Sequence, residues 1–136
     1  MITKKLEVGQ TASQSMKIIE EMVKKYAEIT GDYIPLHFNE EFTKKTKYGK
    51  LIAQDGVISG VLNTIVAMDT PGPGTVFIHQ KYDYNAPVFI GDEITGFVEI
   101  YEVHPTKPVT KINVKIINQK KEVVLTGKAV CYTFNT

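Results

Sequence analysis

The 136-residue sequence contains no arginine; all sixteen of its basic residues are lysines. Any phosphate it holds therefore meets point charges or backbone N–H groups rather than a bidentate guanidinium. It has one cysteine, Cys131. That excludes an intramolecular disulfide and any cysteine-rich metal site, and within a strand-like run the residue reads as a small apolar one. There is little net charge, formally +1, so nothing points to nucleic acid or an anionic membrane surface as partner. The longest mostly apolar stretch, Val57 to Met68, is too short to span a bilayer and is interrupted by Ser59, Gly60, Asn63 and Thr64. Met1 to Gln10 carries two lysines but no apolar segment of the secretory kind. No trio of His, Asp, Glu and Cys stands at metal-ligand spacing, so no metal is expected. These absences together predict a cytoplasmic protein.

What remains is an ordinary globular composition, 43% hydrophobic and 23% charged. The length suits a single domain, residues 1–136, with a core that needs no covalent staple. Lys4 to Val8 reads as a short edge strand closed by Gly9. Ser15 is an N-cap candidate for a helix running to about Thr30. Within that helix Ile19, Met22, Val23, Tyr26 and Ala27 recur on one face, with Glu20, Glu21, Lys24 and Lys25 opposite. Asn39 is placed to cap a short helix reaching about Lys45, with Glu40 and Glu41 in its first turn. Lys44 to Lys50 reads as a solvated segment, or one that holds acidic groups of a ligand.

From about Ala53 to Met68 apolar residues occupy most of a helix circumference, the pattern of a helix buried on most sides. Gly56 and Gly60 leave one face of it bare, for close packing or for a ligand. Pro71-Gly72-Pro73-Gly74 stops this helix. Strands then follow over Thr75 to Tyr84, Glu93 to Val103, Val109 to Asn118 and Val123 to Phe134, with Ile112, Val114 and Ile116 alternating on one face. Long antiparallel strands with one nearly all-apolar helix predict an α+β architecture, a curved sheet wrapped around that helix. His79 and His104 read as structural. Tyr82, Tyr84 and Phe89 read as core or dimer contacts.

One stretch carries proton-transfer chemistry: Ile29-Thr30-Gly31-Asp32-Tyr33-Ile34-Pro35-Leu36-His37-Phe38-Asn39. Gly31 can end the preceding helix in the left-handed conformation, and Pro35 stiffens the chain between Asp32 and His37. A carboxylate and an imidazole turned towards one water form an acid–base pair. The spacing also fits an ordinary turn aspartate and a histidine bonded to a carbonyl.

Several motifs in order make the resemblance specific. They are Leu6-Glu7-Val8-Gly9-Gln10, Thr30-Gly31-Asp32-Tyr33-Ile34-Pro35-Leu36-His37, Ile52-Ala53, Pro71-Gly72-Pro73-Gly74-Thr75, Pro87-Val88-Phe89-Ile90-Gly91-Asp92 and Lys107-Pro108. Over essentially its whole length the chain resembles the MaoC-like, (R)-specific enoyl-CoA hydratases and dehydratases of the hot-dog fold. The resemblance implies reversible addition of water to a trans-2-enoyl-CoA, giving the (R)-3-hydroxyacyl-CoA. It implies Asp32 and His37 as the catalytic pair, with the roles of base and acid shared between them. The backbone N–H of Asp55 or Gly56 is the expected oxyanion donor at the start of the central helix. Gln54, Ser59, Gly60 and Asn63 are expected to line the substrate site. The resemblance further implies a homodimer, and no cofactor beyond the coenzyme A of the substrate.

Three positions depart from the family pattern. Ile34 stands where Asn is usual, Gln54-Asp55 where many members have His-Gly, and Gly60 where relatives carry a Ser beside the catalytic Asp. Ser59 and Asn63 are the replacements at hand for that hydroxyl. Asp55 would repel charge at the oxyanion unless it points away or caps the helix. Two competing readings follow, a hot-dog acyl-CoA thioesterase using Asp55 and a non-catalytic acyl-CoA binding module.

Overall fold

The computed structural model describes residues 5–135. Five antiparallel strands form one sheet in the order β1-β3-β4-β5-β2. They are β1 (Thr11–Lys17), β2 (Thr75–Tyr84), β3 (Glu93–Val103), β4 (Val109–Ile117) and β5 (Val123–Thr133). Among the described residues the helices are α1 (Glu20–Thr30), α2 (Pro35–Phe38), α3 (Glu40–Thr43) and α4 (Asp55–Met68). This is the expected α+β arrangement. Helix α4 packs on the sheet, against β1, β2 and β3. Its Ile58, Val61, Leu62, Ile65 and Val66 are at most 3% exposed and meet Ile94, Val98, Ile112 and Ile116 from the sheet. Burying each such side chain is worth about 1.5–3 kcal/mol, so the sheet-to-α4 contact is the main source of tertiary stability.

The N-terminal part differs from the sequence expectation. Lys4 lies outside the described residues, and residues 5–8 are not strand. Ser15, expected as a helix N-cap, lies inside β1, where its hydroxyl meets that of Thr95 at 2.8 Å. Polar TASQSMK becomes a strand because β3 offers a complete ladder, Thr11 opposite Glu99 through to Lys17 opposite Glu93. Long-range pairing of this kind overrides local preference. Helix α1 therefore begins only at Glu20, with Ile19 at its N-cap. Ile19 is 42% exposed, while Val23 and Ala27 are buried.

Helix α4 begins two residues later than expected. Ala53 N–H donates to the Val88 carbonyl at 2.8 Å, and Ile52 makes an isolated bridge with Phe89. Residues 52 and 53 are thus tied to the chain entering β3 and are unavailable to the helix. The segment from Asp32 to His37 is also not all loop: Pro35 opens α2, which carries His37. Asn39 caps α3 as expected, its side chain accepting from Phe42 N–H at 3.0 Å.

Candidate active site

Helix α1 ends at Gly31, which adopts φ 81° and ψ 11° and donates its N–H to the Ala27 carbonyl. A side chain at that φ is strained, so glycine is required. Asp32 is the next residue, its N–H held by the Thr30 hydroxyl at 3.3 Å. Its side chain keeps 36% of its surface in solvent, whereas that of His37 keeps 6%. The Asp32 Oδ2 and His37 Nε2 atoms are 3.8 Å apart. That is too long for a hydrogen bond; it is a spacing at which one water can contact both.

The orientation of His37 is set by residue 52. Its Nδ1 lies 2.7 Å from the Ile52 carbonyl, and Ile52 N–H donates to the Leu36 carbonyl at 3.1 Å. A carbonyl only accepts, so Nδ1 carries a hydrogen, and the other ring nitrogen, Nε2, is turned towards Asp32. The Phe38 ring stands edge-on to the imidazole at 6.4 Å and tilts against Tyr33 at 5.6 Å. Nothing in the sequence marks Ile52 as a partner of His37, because the contact is made by a main-chain oxygen.

Ile52, which holds His37, stands three residues before the start of α4. Gln54 takes the N-cap position without capping by its side chain, leaving the amides of Asp55 and Gly56 among the unsatisfied donors of the first turn. Asp55 does not act as a cap. Its carboxylate lines a groove of about 460 Å³ with Lys47, Ile52, Ala53, Ile58 and Tyr84. Burial holds the Tyr84 phenol above its ordinary value; a hydrogen bond with Ser59 acts the other way, and the Asp55 and Tyr26 side chains add to the rise. A larger groove, about 610 Å³, crosses the outer face of β1, β3 and β4 at Ser13, Phe97, Glu99 and Lys115, away from both acid–base groups.

The remaining expected site residues fall in different places. The Gln54 side chain turns inward and donates to the Val23 carbonyl at 3.0 Å. Ser59 faces Tyr84, Gly60 has open space where a Cβ would stand, and Asn63 is exposed. The hydroxyl that the sequence places nearest to the missing Ser is therefore engaged by Tyr84. Among the described residues no three His, Cys, Asp or Glu side chains converge to hold a metal. The described helices include none long and apolar enough to cross a membrane.

A five-stranded antiparallel sheet packed on α4, with Asp32 and His37 3.8 Å apart in the segment that follows α1, defines a hot-dog domain of the dehydratase kind. The chain belongs to the MaoC-like domain family, which matches residues 3–124. It is 36% identical over 125 residues to a 3-hydroxybutyryl-CoA dehydratase of Methylorubrum extorquens, covering 92% of this chain and 79% of that one. It is 29% identical over 130 residues to an (R)-specific enoyl-CoA hydratase of Aeromonas caviae, covering 96% and 97% of the two. The solved structure of the A. caviae (R)-hydratase superposes with a TM-score of 0.91 at 28% identity, over 97% of this chain and all of that one.

Proposed function

We propose that this chain is a hydro-lyase that adds water reversibly and (R)-specifically to a trans-2-enoyl-CoA, giving the (R)-3-hydroxyacyl-CoA. The observation that carries the reading is the pinned imidazole, with Nδ1 on the Ile52 carbonyl and Nε2 3.8 Å from Asp32. A water between the two groups donates to Nε2 and is oriented by the Asp32 carboxylate. As its oxygen bonds to C3, the π electrons shift towards C2 and the thioester oxygen. Nε2 takes the proton lost by the water, and Asp32 stabilises the imidazolium. The pair then returns a proton to C2, so atoms and charge balance and no cofactor enters. The amides of Asp55 and Gly56 receive the charge that develops on the thioester oxygen. The relatives' activities and the whole-chain likeness support the same reaction.

In this reading residues 1–136 act as one cytoplasmic hot-dog domain, working as a homodimer. Strand β2 is a sheet edge with Val76 and Ile78 48% and 59% exposed, which supports a second copy covering it. Adding the purified protein to crotonyl-CoA tests the reaction. We expect loss of enoyl-thioester absorbance with an (R)-3-hydroxy product, lowered at least about 10²-fold by Asp32→Asn or His37→Ala. No loss with crotonyl-CoA or with longer and branched enoyl-CoAs would refute it.

A second reading draws on the uncapped carboxylate in the groove: hydrolysis of an acyl-CoA by water activated at Asp55. Release of free thiol from saturated acyl-CoA, abolished by Asp55→Asn, would replace the hydratase reading. Binding without turnover of either kind would leave a non-catalytic acyl-CoA binding module.

A further inference from the structure

The first turn of α4 carries polar capacity that the fold does not use. Gln54, 2% exposed, spends its Nε2 on the Val23 carbonyl and leaves Oε1 without a partner. One residue further on, the Tyr26 ring of α1 rests directly on Gly56: a Cβ at position 56 would meet its hydroxyl, Cζ and Cε2. Only glycine leaves room for the phenol there. The Tyr26 carbonyl accepts from the Thr30 hydroxyl, but no described hydrogen bond engages its own hydroxyl. Phenylalanine would fill almost the same space. A phenol in such a half-buried place normally finds a partner, and the neighbouring groups at hand are the free amides of Asp55 and Gly56, which share its need for an acceptor.

We propose that the Tyr26 hydroxyl is a further catalytic donor, hydrogen-bonding the thioester oxygen together with the amide of Gly56 on which it is seated. The proposal rests on the hydratase reading. As the C3–O bond forms and charge moves onto the thioester oxygen, the phenol keeps its proton and strengthens its hydrogen bond. It releases that bond when C2 is protonated. A neutral donor at this place also offsets the repulsion from the Asp55 carboxylate one residue away.

The test uses the full chain. Tyr26→Phe removes one oxygen, and loss of one oxyanion donor lowers kcat about 10²-fold; KM for crotonyl-CoA is expected to stay within about twofold, since the bond matters mainly in the transition state. Incorporating 4-fluorophenylalanine at position 26 refills the volume without a donor, and the same loss is expected. In an Asp32→Asn background, where turnover is expected to be at least about 10²-fold slower, bound cinnamoyl-CoA is expected to absorb at longer wavelength, and Tyr26→Phe to diminish that shift. Wild-type activity with unchanged kcat and an unchanged bound spectrum in Tyr26→Phe would overturn this proposal alone, leaving Tyr26 as packing. An inactive wild type would overturn the hydratase reading and this proposal with it.

Discussion

The Nδ1 atom of His37 is held 2.7 Å from the main-chain carbonyl of Ile52, fifteen residues away, and this contact decides which ring nitrogen is free to accept a proton. The contact is also a structural anchor, because His37 is 5% exposed and Ile52 N–H returns a bond to Leu36. The two roles separate by mutation. His37→Asn retains a donor near the Nδ1 position and is expected to keep most of the stability while losing at least about 10²-fold in turnover. His37→Ala leaves the Ile52 carbonyl unpaired and should cost a further 1–3 kcal/mol or so. Urea unfolding beside crotonyl-CoA kinetics checks both; equal stability of the two variants would remove the anchoring role.

Tyr26 and Gly56 occupy complementary volumes, so they are coupled. Gly56→Ala forces the phenol off α4 and is expected to destabilise by about 1–3 kcal/mol. In a Tyr26→Ala background the same change should cost much less, because the obstructing ring is gone. A double-mutant cycle in urea measures the difference. Additive costs would mean that the ring relaxes freely.

Cys131 is fully buried, and burial pushes its thiol up to about 11. A raised pKa means the folded state holds its proton longer than the unfolded chain does. The associated stability is complete below about pH 9 and is lost as pH rises towards 11, on the order of 3 kcal/mol for that shift. Tyr82 and Tyr84 are shifted in the same direction by burial and extend the loss to higher pH. Urea midpoints from pH 8 to 10.5 should fall more steeply for wild type than for Cys131→Ala. Parallel curves would contradict the assignment to the thiol.

The exposed edge at β2 carries its own test. Sedimentation of the wild type is expected to give twice the mass of the chain, and Ile78→Lys to shift it towards the monomer. Ile78 is 59% exposed in the isolated chain, so the lysine should leave unfolding of the monomer within about 0.5 kcal/mol. A monomeric wild type would refute the homodimer, and a dimer unaffected by Ile78→Lys would place the interface elsewhere.

The strands were the most legible elements. Strands β2 and β3 have the expected limits, Thr75–Tyr84 and Glu93–Val103, because β-branched runs there are bounded by Pro-Gly and Gly-Asp turns. The polar strand β1 was not legible. Its seven residues carry no apolar alternation strong enough to compete with a helix reading, and its ladder comes wholly from β3. Tyr26 was legible as a residue of the α1 inner face, yet its seat on Gly56 was not. A bare glycine says that something approaches, and the fold says what.

The sequence by itself determined the elements whose causes are local: the apolar helix α4, the glycine that ends α1, the cap at Asn39, and the motifs that place Asp32 and His37 five residues apart. Only the tertiary structure decided what those residues face. The Ile52 carbonyl that fixes the His37 tautomer, the groove that receives Asp55 and the α1 ring above Gly56 all join segments distant in sequence. Such contacts follow from how α4 packs on the sheet, a long-range burial of apolar surface that no local pattern encodes.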